Sequence, residues 1–218
     1  ELIGPLPYNT ATDLAPVANL VWLYNVLVVP AASNVQSVKD LIAQAKQQPG
    51  QLTYGSGGNG APAHLVADAF CQASDVKMLH VPFKGPAEAV TALLGNQLSA
   101  MFATVSVAAP LIKAGKLRAL AVTSPQRLPA LPQTPTLAES GVSGLQLNEW
   151  EGLVVPAGTP AALVQKWNQD LFQVLASPEL RGKLADLGMT VAQPNRSEEF
   201  GALIRRELEH WGQFVRTS

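Results

Sequence analysis

Leu52-Thr-Tyr-Gly-Ser-Gly-Gly-Asn-Gly-Ala-Pro-Ala-His-Leu65 reads as a short strand, a glycine-rich turn and the opening of a helix. Gly55, Gly57, Gly58 and Gly60 lack a Cβ, so the backbone there can bend sharply and come close to another molecule. Ser56 or Asn59 is placed to cap the helix, and Pro62 suits its first turn. The first N–H groups of a helix have no intrahelical partner and lie at the positive end of its dipole. The stretch is therefore a candidate anion cradle made of Ser56, Gly57, Gly58, Asn59, Gly60 and Ala61.

Gly55, Gly57 and Gly60 also satisfy G-x-G-x-x-G, the dinucleotide fingerprint when a strand precedes it and a helix follows. That fingerprint wants an acidic residue about 20 positions on, at the end of the next strand. The next expected strand, Val76 to Val81, ends in Pro82-Phe-Lys-Gly85. Asp75 precedes it and Glu88 falls in the following helix. The fingerprint is incomplete, which favours a small-anion site over a nucleotide-binding enzyme or a purely structural turn.

Composition narrows the classes further. The chain has 218 residues, 47% hydrophobic and 14% charged, so it is globular and able to bury a core. A formal net charge of −1 and the lack of any basic run speak against nucleic acid. Apolar runs such as Val26 to Val29 and Leu153 to Val155 have the length of strands, not of membrane spans. The single cysteine, Cys71, reads as a small buried hydrophobe. No H-x-x-x-H or C-x-x-C spacing occurs, so neither a metal nor another cofactor is expected.

Along the chain, residues 1–20 read as irregular and 21–29 as one strand closed by Pro30. A helix from Ser37 ends at Pro49-Gly50. Then come strand 52–54, helix 61–73, strand 76–81, helix 86–95, strand 98–102, a helix ending at Gly115, and strand 117–122. A proline-rich loop fills 123–144, and two extended segments cover 145–150 and 153–155. Thr159 is expected to cap a helix that begins at Pro160 and buries Leu163, Val164, Trp167, Leu171 and Val174. A helix to Gly188, a strand at 189–192 and a helix over 197–215 complete the chain.

Strands alternating with helices imply an α/β fold with a mostly parallel sheet, whose ligands gather beyond the carboxyl ends of the strands. The turns at 55–60, 82–86 and 103–106 all lie at such ends. They add Lys84, Thr104 and Ser106 as candidate ligand contacts. His64 stands four residues before Asp68 on one helix face, as a surface pair or as part of the site. His80 reads as a core histidine, and Trp150 either lines a cleft or packs the core.

Five ordered motifs carry a resemblance. They are Tyr54 to Leu65; His80-Val-Pro-Phe-Lys-Gly85; Ile112 to Ser124; Pro132 to Gly141; and Gly152-Leu-Val-Val-Pro-Ala-Gly-Thr-Pro160. Together with Leu6-Pro-Tyr8, they resemble the tripartite tricarboxylate transporter receptors, the Bug solute-binding proteins. The resemblance covers the whole chain. It implies a type II periplasmic-binding-protein fold, with two α/β domains joined by two crossing strands. Domain 2 would be 28–150 and domain 1 would be 1–27 with 151–218. It further implies a non-enzymatic, monomeric, periplasmic receptor that captures a di- or tricarboxylate, an amino acid or an aromatic acid and hands it to a membrane permease. A sensor of the same acid would look alike. Carried over, Ser56 to Ala61 would hold the carboxylate through backbone amides, with Thr104 facing it.

Two departures from the family pattern follow. Members open with a further strand, helix and turn before the position of Glu1, so part of domain 1 is expected to be missing. Many carry an aspartate where Ala103 stands, and its loss weighs against an amino-acid ligand.

Overall fold

The computed structural model describes residues 6–145 and 149–217, with side chains described through residue 213. The chain divides into two compact units. The first holds the residues up to Trp22, Trp150–Leu184 and the residues from Thr190; the second holds Leu23–Glu149 and Ala185–Met189.

The second unit is built on β2 (Asn25–Pro30), β3 (Thr53–Ser56), β4 (Leu79–Pro82), β5 (Ala100–Thr104) and β6 (Leu117–Val122). Their order is β4-β3-β5-β2-β6. β3 runs parallel to β4 and β5, whereas β2 is antiparallel to both β5 and β6. Every residue of β2 is buried, as expected of a central strand covered on both faces, and Val26, Val28 and Val29 suit that place. Helices α1 (Val38–Gln47), α2 (Pro62–Ala73), α3 (Pro86–Leu94) and α4 (Val105–Lys113) connect the strands. Ser37 caps α1 by accepting from the Asp40 N–H at 3.1 Å, and Asp40 accepts in return from the Gln36 N–H.

The first unit carries β1 (Leu14–Leu23), β7 (Glu149–Pro156, which enters from the second unit) and β8 (Thr190–Val191), in the order β7-β1-β8. Helices α5 (Ala161–Leu175), α6 (Pro178–Asp186) and α7 (Ser197–Thr217) complete it. Val17, Val155 and Val164 form its small core, with Ala15, Leu153 and Leu171 packed against them.

Several expectations need correction. The sheet of the second unit is mixed, not mostly parallel, because β2 runs antiparallel to both of its neighbours. Residues 14–20 are not irregular, and the single strand expected over 21–29 is two strands, parted at Tyr24, in different sheets. Pro16 falls near the start of β1, before its pairing with β8 begins at Val21. Thr159 does not cap α5; Pro160 holds the cap position, and no side chain bonds the first turn. The α5 stripe is only partly covered. Val164 is buried, but Leu163, Trp167 and Val174 are 43%, 38% and 60% exposed. The expected segment 145–150 lies partly outside the described residues.

Candidate functional site

Because β3, β4 and β5 are parallel, their carboxyl ends share one edge of the sheet, and α2, α3 and α4 all start there. The glycine turn makes this convergence possible. A Cβ on Gly57 would stand 3.0 Å from the ring and nitrogen of Pro86, the first residue of α3. Gly58 has φ +130° and Gly60 φ +73°, a region that side-chain-bearing residues rarely adopt.

A cavity of about 260 Å³ opens at this edge. Gly57 lines it from the glycine turn, Ala61, Pro62 and Ala63 from the cap and first turn of α2, Pro86 and Val90 from α3, and Thr104 and Val107 from the cap and first turn of α4. Met101, Phe102 and Ala103 form its floor, and Asn25 and Glu149 its polar side. All of these residues belong to the second unit. Pro62 and Pro86 are first residues of their helices, where a missing N–H costs nothing. The positive ends of the helix dipoles converge on this apolar pocket, although the His64 N–H already donates to the Ala61 carbonyl at 2.9 Å and the Val105 N–H, which opens α4, to the Tyr24 carbonyl at 3.1 Å.

Of the residues expected from sequence, Gly57, Ala61 and Thr104 line this cavity. Gly58, Asn59 and Gly60 shape the turn beside it. Neither Ser56 nor Asn59 caps α2, whose cap position is Ala61 with no side-chain bond. Thr104 takes the cap position of α4, likewise without a side-chain bond, and the strand passes directly into the helix. Ser106 is half-buried in the first turn of α4. Lys84 is exposed, and its backbone N–H donates to Glu88. Trp150 belongs to the first unit, where its ring meets Phe200 edge to face at 5.0 Å.

Ser56, His64 and His80 form a polar layer behind the turn. Tyr54 and His80 are register partners on β3 and β4, and their rings stack at 5.0 Å. His64 reaches over from α2 and stacks on His80 at 3.9 Å. The Gly60 N–H donates to His64 Nδ1 at 3.1 Å, so the ring proton sits on Nε2, 3.4 Å from Asp68. Tyr54 donates its hydroxyl to the other oxygen of Asp68. Ser56 is fully buried; its Oγ lies 2.7 Å from His80 Nε2, accepts from the Gly58 N–H and reaches the Gly58 carbonyl. One arrangement satisfies all four groups: His80 donates to Ser56, and Ser56 donates to Gly58. Burial and the neighbouring His64 hold His80 below the usual imidazole range, which keeps it neutral. The layer thus locks the glycine turn from behind. Burial together with Asp68 pushes the Cys71 thiol nearby up to about 12, so it is inert.

Asn25 and Glu149 escaped the sequence reading. The Asn25 side chain donates to Glu149 Oε1, and its backbone N–H donates to Thr123 Oγ1 at 2.9 Å. Burial raises the Glu149 carboxyl above the usual range, and the Asn25 hydrogen bond opposes the rise only in part. One signal was available: Asn25 interrupts an otherwise apolar strand pattern.

Comparison with known proteins gives this geometry its context. The family model for tripartite tricarboxylate transporter family receptors matches residues 2–218. A UPF0065 protein in the tcbD-tcbE intergenic region of Pseudomonas sp. strain P51 is 34% identical over 211 residues, 96% of this chain and 62% of its own length. The chain therefore spans less than two thirds of that relative. Among solved structures, R. palustris Rpa4515 with adipate superposes with a TM-score of 0.88 at 31% identity, covering 98% of this chain and 71% of that one. MatC from Rhodopseudomonas palustris with bound malate gives 0.84 at 27% identity, covering 98% and 74%. These relationships establish a periplasmic-binding-protein fold.

Proposed function

The chain belongs to the tripartite tricarboxylate transporter receptor family, and on that premise we propose that it is a periplasmic receptor which captures a small organic acid and delivers it to a membrane permease. The observation that carries this reading is the cavity where α2, α3 and α4 begin. A carboxylate placed there meets the positive ends of the α2, α3 and α4 dipoles, with first-turn backbone N–H groups of α2 and α3 beside it. The apolar floor of Met101, Phe102 and Ala103 excludes water and strengthens those contacts. The relatives solved with adipate and with malate support an organic acid as the ligand class.

The cavity wall carries no nucleophile–base pair, and the buried Ser56 hydroxyl is held by His80 and Gly58. The family is one of solute-binding receptors, and the reading assigns binding, not chemistry, to this cavity. A nucleotide enzyme built on the glycine turn is disfavoured because β4 ends at Pro82 with no carboxylate for a ribose.

A thermal-shift screen tests the proposal. Dicarboxylates, citrate, hydroxy acids, amino acids, benzoate-type acids and NAD are added to the purified chain. A ligand that binds only the folded state raises the melting temperature, by about 2.7 kcal/mol of stability at a hundredfold excess over Kd. The expected result is a rise with an organic acid and none with NAD. A rise with NAD alone overturns the reading.

A further inference from the structure

The cavity is electrically lopsided. One side presents helix N-termini; the other presents Glu149, and no residue of the lining is a cation. Among the described residues Asn25 alone hydrogen-bonds the Glu149 carboxylate, and it engages Oε1. Asn25 is itself 2% exposed and tied to Thr123 on β6's continuation, so the carboxylate is held in a fixed place. A half-buried carboxylate with one acceptor oxygen in use and no cation in the cavity lining is complementary to a hydrogen-bond donor. A second negative charge placed there would be repelled.

We propose that Glu149 sets the specificity of this cavity, its free oxygen accepting a hydrogen bond from a hydroxyl or ammonium group of the bound acid. The preferred ligand then carries a carboxylate at one end and a donor at the other. A plain dicarboxylate is the poorer fit. The proposal rests on the organic-acid reading given above.

Calorimetry with matched acids tests this. Adipate, ω-hydroxyhexanoate and ω-aminohexanoate form one set; succinate, ω-hydroxybutyrate and ω-aminobutyrate form a shorter one. Each is titrated at neutral pH into the wild-type chain, Glu149→Gln and Glu149→Ala, after thermal melts confirm that each variant folds. In the wild type, the better donor acid should bind about tenfold or more tightly than the diacid of equal length. Glu149→Gln keeps the Asn25 bond but turns an N–H₂ toward the cavity, so the preference should shrink or reverse. Glu149→Ala should abolish it.

The ratio between matched acids is the decisive reading, because a merely structural Glu149 would move all affinities together. A diacid that binds at least as tightly in the wild type, with a ratio unchanged in both variants, overturns the specificity role and leaves the receptor reading standing. A folded wild-type chain that binds no acid of either set overturns the receptor reading, and the specificity role with it.

Discussion

The two units bury their hydrophobic residues very differently. In the second, Phe70, Phe102, Leu27, Leu41, Leu93 and Met101 are almost wholly enclosed, and the central strand shows no face to solvent. In the first, Phe200 and Val17 are the large fully enclosed side chains, and α5 leaves Leu163, Trp167 and Val174 open. The five-stranded unit thus carries most of the fully enclosed large side chains. The candidate site lies wholly on the better-packed unit. Backbone amides can bind an anion only if they are held in place, so rigidity and function coincide there.

The largest effect should come from emptying that core. Phe102→Ala should cost about 3–5 kcal/mol in a denaturant titration, as for other buried aromatic deletions. Phe102 is 2% exposed and meets Phe70 edge to face at 5.6 Å. A cost near zero would remove the contrast between the units.

Next in size is the turn. Gly58→Val forces a β-branched residue to φ +130°, at a strain of about 1–3 kcal/mol, and should abolish binding of any acid the wild type takes. Gly158, in the first unit, has open space where its Cβ would be, so Gly158→Val should leave affinity unchanged. Calorimetry on the pair sharpens the comparison; equal losses would break it.

A smaller effect concerns pH. His80 takes a proton less readily folded than unfolded, so the unfolded state binds more protons below about pH 6.5. Stability should fall as pH drops through that value and level off below the folded pKa. The fall should be less in His80→Asn, by a few degrees of melting temperature at most, at about 2–4 °C per kcal/mol for a chain of this size. An identical pH profile in the variant would remove His80 from the account. Smallest of all, Val174→Ser on the open α5 face, at a residue 60% exposed, should change stability by no more than about 0.5 kcal/mol. A cost matching that of Phe102→Ala would show that α5 is as well packed as the sheet of the second unit.

Much of this was legible in the residues. The glycine turn, the alternation of strands with helices and the ordered motifs pointed to the α/β fold and to the family that the match over 2–218 establishes. The polar layer was not legible, because Tyr54 and His80 meet only through strand register. Nor was the Asn25–Glu149 pair, whose members lie 124 residues apart. The exposed face of α5 was misread for a different reason. Periodicity shows that a helix has an apolar stripe but not which of its residues another element covers.

The central claim is that an organic acid binds at the edge where α2, α3 and α4 begin. Amide chemical-shift mapping of the isotopically labelled chain tests it most directly, with ω-hydroxyhexanoate and adipate as probes. The account predicts the largest shifts at Gly57, Ala61, Ala63 and Thr104 for whichever probe binds. Saturable shifts centred elsewhere, with these amides unmoved, would contradict it.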